Sequence, residues 1–176
     1  LQIEHAIRTL VSAVEAIEHT LEMAGADVRV ARANIQLDTV AHEREVAQLL
    51  ERQIEAILNL ARAVAQVATG GLKGLAGGVA MVAVEVAQLV VVQQFNEIYE
   101  DLANMELEAH VSEALATLTR DLGVRYSEIV GARDRIFQAF QSAQSGLNEM
   151  ERIQNRVQQL MAQAALADSD AVGRSY

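Results

Sequence analysis

Residues 63–96 have the sequence AVAQVATGGLKGLAGGVAMVAVEVAQLVVVQQFN, with only two charged side chains, Lys73 and Glu85, in a chain that is 22% charged. Five of the ten glycines lie in this segment, at positions 70, 71, 74, 77 and 78. Apolar surface of this length is an aggregation liability when it faces water. We therefore expect something other than solvent to cover the segment.

Amphipathic helices are predicted on both sides of this segment. Apolar residues recur there at steps of three and four, as in the stripe that begins with Ile3, Ile7 and Leu10. The chain contains no proline, so the strongest helix breaker is absent. The valine-rich residues 79–92 favour a strand modestly, and a short β-tongue is an open alternative there. Polar residues from Gln93 onward continue directly into a helical pattern, so we predict a helix.

The predicted fold is all-α: an elongated antiparallel hairpin or bundle of long amphipathic helices, with a Gly-rich apolar tip at residues 70–78. Gly25 and Gly123 could break the helices, with Asp27 and Ser127 capping the helices that follow. The helices would then span about 1–24, 28–69, 79–121 and 127–167, and the last three would match in length as bundle neighbours do. The alternative is that both glycines only kink longer helices.

The whole chain, residues 1–176, is predicted to form a single helical domain or a fragment of a larger chain. Within it we distinguish the apolar hairpin, residues 63–96, and a polar C-terminal tail, residues 168–176, that is expected to fray. The chain begins at Leu1 without an initiator methionine, so we expect an excerpt or a processed chain.

Two interpretations of the apolar hairpin stay open. It could insert into a bilayer, because residues 74–96 carry one charge and are long enough to cross about 30 Å of hydrocarbon as a helix. It could instead be buried in a helical bundle, where glycines allow two backbones to approach closely. The residues that would meet lipid or protein are Val64, Val67, Gly70, Gly71, Leu72, Lys73, Gly74, Leu75, Gly77, Gly78, Val79, Val82, Val84, Val86, Leu89 and Val91.

A polar face on the second helix of the hairpin is compatible with a pore. Glu85 would cost roughly 3 kcal/mol against lipid unless it faced water or a partner chain. Gln88 and Asn96 fall on or near the same helical face as Glu85. These three residues are therefore predicted to line the lumen if the chain forms an oligomeric channel.

The composition disfavours other kinds of site. The chain has no cysteine, which excludes disulfides and thiolate metal sites, and its net charge of −10 disfavours nucleic-acid binding. None of the four histidines follows a glutamate at the Glu-x-x-His spacing of di-metal helical bundles. No nucleophile or phosphate-loop motif occurs. We therefore predict no metal, no cofactor and no enzymatic activity.

Long proline-free amphipathic helices on both sides of a glycine-rich apolar tip resemble the α-helical pore-forming toxins, either the cytolysin A type or the channel of toxin-complex A subunits. Type III secretion translocators and phage tape-measure proteins share this pattern. The resemblance implies an oligomer that delivers the tip of its hairpin into a bilayer, secreted or membrane-associated. The alternative function is a coiled-coil or bundle subunit of a phage tail or secretion assembly, with the hairpin packed against protein. Expected partners are copies of this chain or other helical chains, and in the first case a lipid bilayer.

Overall fold

The structure, a computed structural model, describes residues 2–35, 41–71, 77–108 and 110–173. These residues form four helices: α1 (Gln2–Asn34), α2 (Ala41–Gly71), α3 (Gly77–Glu108) and α4 (Glu113–Gly173). No strand occurs in the described ranges, so the all-α prediction is confirmed. The valine-rich segment forms the first half of α3 and not a β-tongue. The centre of the predicted Gly-rich tip, residues 72–76, lies outside the described residues.

The helices form an antiparallel bundle in which each helix packs against two neighbours. α1 packs against α2 and α4, and α3 packs against the same two helices. Ion pairs between helices report the register: Arg62 of α2 lies 3.1 Å from Glu22 of α1, and Arg32 of α1 pairs with Glu51 of α2. The higher-numbered residue of α1 thus meets the lower-numbered residue of α2, as antiparallel neighbours require.

A single aliphatic core runs along the bundle axis. Its largest fully buried side chains come from all four helices, and they are Ile17, Leu21, Ile54, Phe95, Leu115, Leu118, Leu122, Ile129 and Ile136. Alanines fill much of the remaining space, because a thin bundle leaves little room between helix axes. The scarcity of aromatic residues in the sequence is therefore matched by the geometry of the core.

The few aromatic side chains of the core gather between α3 and α4. The Tyr126 ring stacks on Phe95 with ring centroids 6.3 Å apart and on Tyr99 with centroids 5.8 Å apart. Gly123 lies beneath this cluster, where an added Cβ would be 3.2 Å from the Tyr99 hydroxyl oxygen. Glycine at this position therefore makes room for the Tyr99 ring.

Of the two alternatives at Gly25 and Gly123, the helix break is wrong and the longer helix is correct, because both residues lie inside uninterrupted helices. A glycine costs a helix interior only about 1 kcal/mol, which the packing of its neighbours offsets. The two predicted caps fail for the same reason. Asp27 lies within α1, where its carboxylate accepts a hydrogen bond from Arg125 of α4, and Ser127 lies within α4.

Two of the three helix breaks fall where continuous helix was predicted: one separates Asn34 from Ala41 and the other separates Glu108 from Glu113. The third, between Gly71 and Gly77, falls at the predicted Gly-rich tip. At the break before α4, the Ser112 side chain accepts a hydrogen bond from the Leu115 amide, so Ser112 is the N-cap of α4. The Ser112 amide in turn donates to the buried Glu43 carboxylate in the first turn of α2 at 2.8 Å. This contact joins the starts of α2 and α4, which lie diagonally across the bundle.

Candidate partner-binding surface

The described part of the apolar hairpin packs inside its own bundle. Val64, Val84 and Val91 are buried, whereas Leu89 and Gly70 are exposed. The other hairpin residues singled out in the sequence lie outside the residues whose side chains are described, and they are Val67, Gly71, Leu72, Lys73, Gly74, Leu75, Gly77, Gly78, Val79, Val82 and Val86. Where its side chains are described, the hairpin thus buries one face in the bundle and leaves another face, with Leu89 and Val90, exposed.

Two of the three residues predicted to line a lumen have described side chains. Gln88 is only 1% exposed, and neither its amide nitrogen nor its amide oxygen has a hydrogen-bond partner among the described residues. Asn96 is half-buried and donates to Glu100, one turn further along α3, at 3.0 Å. The Glu85 side chain lies outside the described part of the chain. Gln88 therefore carries an uncompensated polar group into the apolar core.

Helix α4 continues well beyond the bundle. It has 61 residues, against 33, 31 and 32 for α1, α2 and α3. We call residues 147–173 the arm, and the four packed helices up to Gly146 the body. Every described side chain of the arm is exposed. At 1.5 Å per residue, the arm is about 40 Å long.

The junction between body and arm is set by the start of α1. An added Cβ on Gly146 would lie only 2.7 Å from Cγ1 of Ile3, so the glycine brings α4 close to the first turn of α1. Because α1 and α4 are antiparallel, the residues of α4 that follow Gly146 extend past the start of α1. The end of α2, at Gly71, lies toward this same end of the body, because α2 runs antiparallel to α1.

The apolar stripe of α4 does not stop at this junction. In the body its members are spaced by three and four residues and are buried, as with Ile129, Ala132, Ile136, Ala139 and Ala143. The same spacing continues through the arm as Met150, Ile153, Val157, Leu160, Ala164 and Ala167, which we call the arm stripe. The four larger members are 47–57% exposed. One continuous heptad pattern is therefore covered in the body and uncovered in the arm.

The arm is the feature that the sequence analysis missed. The predicted last helix, residues 127–167, matches its neighbours in length, so no part of it is expected to extend beyond them. The point at which α4 leaves the bundle depends on the contact of Gly146 with Ile3, which no local pattern reveals. Half of the large hydrophobic side chains that are exposed in the described residues belong to the arm.

A charged contact fixes how α4 lies on α1 in the middle of the body. Arg125 donates to Asp27 at 2.9 Å and to Glu128 at 3.3 Å. The hydrogen bond to Asp27 raises the pKa of Arg125 above its ordinary value, with a smaller opposing effect from burial. Arg125 thus remains charged at any pH at which the protein would be studied, so the ion pair is not lost through deprotonation of Arg125.

Other kinds of site find no support in the described residues. They contain no group of three or more His, Asp or Glu side chains placed to hold a metal ion. Within the described ranges, no helix combines the length and the apolar character that a membrane span needs. An open groove between α1 and α4 is lined by polar and aliphatic residues, the polar ones being Asp27, Asn34, Ser112, Glu113, Thr117 and Asp121.

The chain matches no protein-family model, no curated protein and no solved structure. A function therefore has to be inferred from the surfaces of the chain itself, among which the arm stripe is the longest continuous apolar pattern left open to solvent in the described residues.

Proposed function

We propose that this chain is a structural subunit of a helical protein assembly, in which the body is a self-contained fold and the arm binds a helix of another polypeptide. The observation that carries this proposal is the exposed arm stripe, which repeats the spacing of the buried stripe on the same helix. Of the two functions suggested by the sequence, this one corresponds to the bundle subunit of a phage tail or secretion assembly.

The chemistry of the arm stripe favours a helical apolar partner. Residues spaced by three and four form a narrow seam, which fits the side chains of one facing helix better than a flat surface. Covering the exposed half of Met150, Ile153, Val157 and Leu160 would contribute about 4 kcal/mol, taking half of the 1.5–3 kcal/mol for full burial of each. Association itself costs about 4–15 kcal/mol, so the partner must bring a comparable apolar face.

Site-specific photo-crosslinking tests this function. A photoreactive residue in place of Val157, on the stripe, should form adducts with a partner helix when the full chain is assembled in its source cells. The matched control replaces Asn155, which lies on the opposite face of the arm. Adducts at position 157 that greatly outnumber those at position 155 support the proposal, and equal yields at the two positions contradict it.

Membrane insertion through the apolar hairpin is the second candidate function, and one specific observation favours it. Gln88 is buried without a hydrogen-bond partner among the described residues, although it belongs to the helix of the hairpin that would enter the bilayer. An unpaired buried amide destabilises the packed arrangement by about 1–3 kcal/mol, which lowers the cost of releasing the hairpin from the body. A water-lined oligomer would give this amide partners.

Release of a dye from liposomes tests the second candidate. Wild-type chain that inserts its hairpin should release the dye, and Gln88→Met, which removes the unpaired amide, should release it more slowly. Glu85→Lys should change the ion selectivity of any channel that forms. No release and no lipid binding by the wild-type chain under any trigger would remove this candidate and leave the structural subunit.

A further inference from the structure

We infer that the helix bound by the arm stripe is the arm of a second copy of this chain, running antiparallel to the first. This inference rests on the proposed function, since it names the partner of the same surface. It follows from three properties of the arm: the order of side-chain sizes along the stripe, the length of the arm, and the distribution of charge between arm and body.

The sizes of the stripe residues decrease from the body outward. Met150 and Ile153 lie near the body, Val157 and Leu160 lie in the middle, and Ala164 and Ala167 lie toward the end. When two arms run antiparallel with Val157 of one opposite Leu160 of the other, Ile153 meets Ala164 and Met150 meets Ala167. The two central layers then pair side chains of middle size, and the outer layers pair a large side chain with an alanine. The separation of the two helices therefore varies little along the seam. A parallel pair would place the large residues together at one end and alanines together at the other.

The length of the arm fits the same register. With Val157 opposite Leu160, the last residue of α4, Gly173, lies level with residue 144 of the other copy. Residue 144 is next to the junction at which Gly146 contacts Ile3. In this register the described part of each arm therefore overlaps the whole described part of the other.

The distribution of charge also selects the antiparallel pair. The arm, residues 147–173, carries four acidic side chains and two basic ones, so its formal charge is −2. Most of the net charge of −10 therefore lies in the rest of the chain. Antiparallel arms place the two acidic bodies about 40 Å apart, several times the screening length of about 8 Å at physiological salt. Parallel arms would place the bodies side by side, where their like charges repel.

The flanks of the stripe do not supply the attraction in this register. Arg156 of one copy lies closest to Gln163 of the other, and Glu149 of one copy lies closest to Asp170 of the other. The apolar stripe therefore has to provide the binding energy, against one like-charged pair at each end of the paired arms.

Sedimentation of the purified full chain over a range of concentrations tests whether a second copy binds. The wild-type chain should change reversibly from monomer to dimer. Val157→Asp and Leu160→Asp should each weaken dimerisation at least tenfold, and Asn155→Asp, which adds the same charge on the opposite face, should leave it within twofold of wild type. Circular dichroism and thermal unfolding of the body confirm that each variant is folded.

The chain has no cysteine, so introduced cysteines report the orientation directly. A mixture of Val157→Cys and Leu160→Cys chains should form the mixed disulfide in high yield under mild oxidation, and either variant alone should form far less of its own dimer. Cross-linking of Val157→Cys with itself at the yield of the mixture would show a parallel pair and overturn the inference.

A wild-type chain that stays monomeric up to about 1 mM also overturns it. If adducts still form at position 157 with a different protein, the second-copy inference fails and the proposed function stands. If no adduct forms at position 157 in either setting, both fail.

Discussion

The first and last parts of α4 present the same stripe of apolar side chains to different surroundings. Ile136 in the body is 1% exposed, whereas Ile153 in the arm is 53% exposed, although both belong to one heptad series on one helix. The difference lies in the neighbouring helices. At this end of the body α1 and α3 begin and α2 ends, so α4 alone continues into the arm. Periodicity therefore identifies which face of a helix is apolar, and chain topology decides whether another helix of the same chain covers that face.

The largest effect should come from removing stripe side chains in the two regions. Ile136→Ala should lower the free energy of unfolding by about 2–5 kcal/mol, because it leaves a cavity in the core. Ile153→Ala should change it by less than about 0.5 kcal/mol in dilute solution, because the side chain is exposed in a single chain. Urea unfolding at micromolar concentration measures both. A comparable loss from the two variants would show that the arm is covered even in the isolated chain.

Replacing a glutamine should stabilise the chain in the body and leave its stability unchanged in the arm. Gln88→Met should raise the free energy of unfolding by about 1–3 kcal/mol, because it removes a buried amide without a partner and keeps nearly the same shape. Gln158→Met, on the exposed arm, should be neutral within about 0.5 kcal/mol. The same unfolding measurement checks this pair, and a Gln88→Met chain less stable than wild type would show that the amide is satisfied in the folded protein.

Replacing two serines by alanine, one at the N-cap of α4 and one inside the helix, should change stability in opposite directions. Ser112→Ala removes the N-cap and should cost about 1 kcal/mol. Ser127→Ala, an exposed change inside the helix, should instead stabilise the chain by a few tenths of a kcal/mol, because alanine has the higher helix propensity. Thermal unfolding of the two variants should therefore shift in opposite directions. Shifts of the same sign would show that α4 does not begin at Ser112.

The smallest effect should mark where the body ends. Gly131→Ala adds a Cβ that meets nothing within 4 Å, so it should stabilise the chain by up to about 1 kcal/mol. Gly146→Ala adds a Cβ that would overlap Ile3, so the gain in helix propensity should be cancelled or reversed. Equal stabilisation by the two variants, again measured by unfolding, would mean that α1 does not reach Gly146.

The sequence was sufficient for the class of the fold, and the reason is visible in particular residues. Apolar positions such as Leu10, Ile17 and Leu21 recur at helical spacing, and all three are buried. The helical continuation after Gln93 outweighed the β-branched residues before it, and α3 is helical throughout its range. Strong periodicity over many turns is a cumulative signal that a few unfavourable propensities do not overturn.

Helix ends were predicted poorly because their causes are local and weak. Gly25 and Gly123 suggested ends, but a cost of about 1 kcal/mol per glycine is small beside the burial of a whole helix face. The real end before α4 depends on Ser112, whose amide and hydroxyl contact Glu43 and Leu115. The contact with Glu43 joins residues far apart in the sequence, and no local pattern reveals it.

The candidate surface was half visible in the sequence. The arm stripe could be identified from spacing alone, from Met150 to Leu160. Its exposure could not, because exposure depends on where Ile3 lies relative to Gly146. For the hairpin the situation is reversed: its apolar character suggested an exposed partner-binding surface, but Val64, Val84 and Val91 are covered by the other helices of the bundle.

The uninterrupted course of α4 has a geometric consequence for anything built from this chain. Each residue of an α-helix advances the direction of its side chain by about 100° around the axis, so the seating of Ile136 in the core sets the angle at which Val157 points outward. A partner helix bound to the arm stripe consequently fixes how far the body is rotated about the axis of α4. Adding one residue just after Gly146 would leave both surfaces intact, yet swing one by about 100° relative to the other.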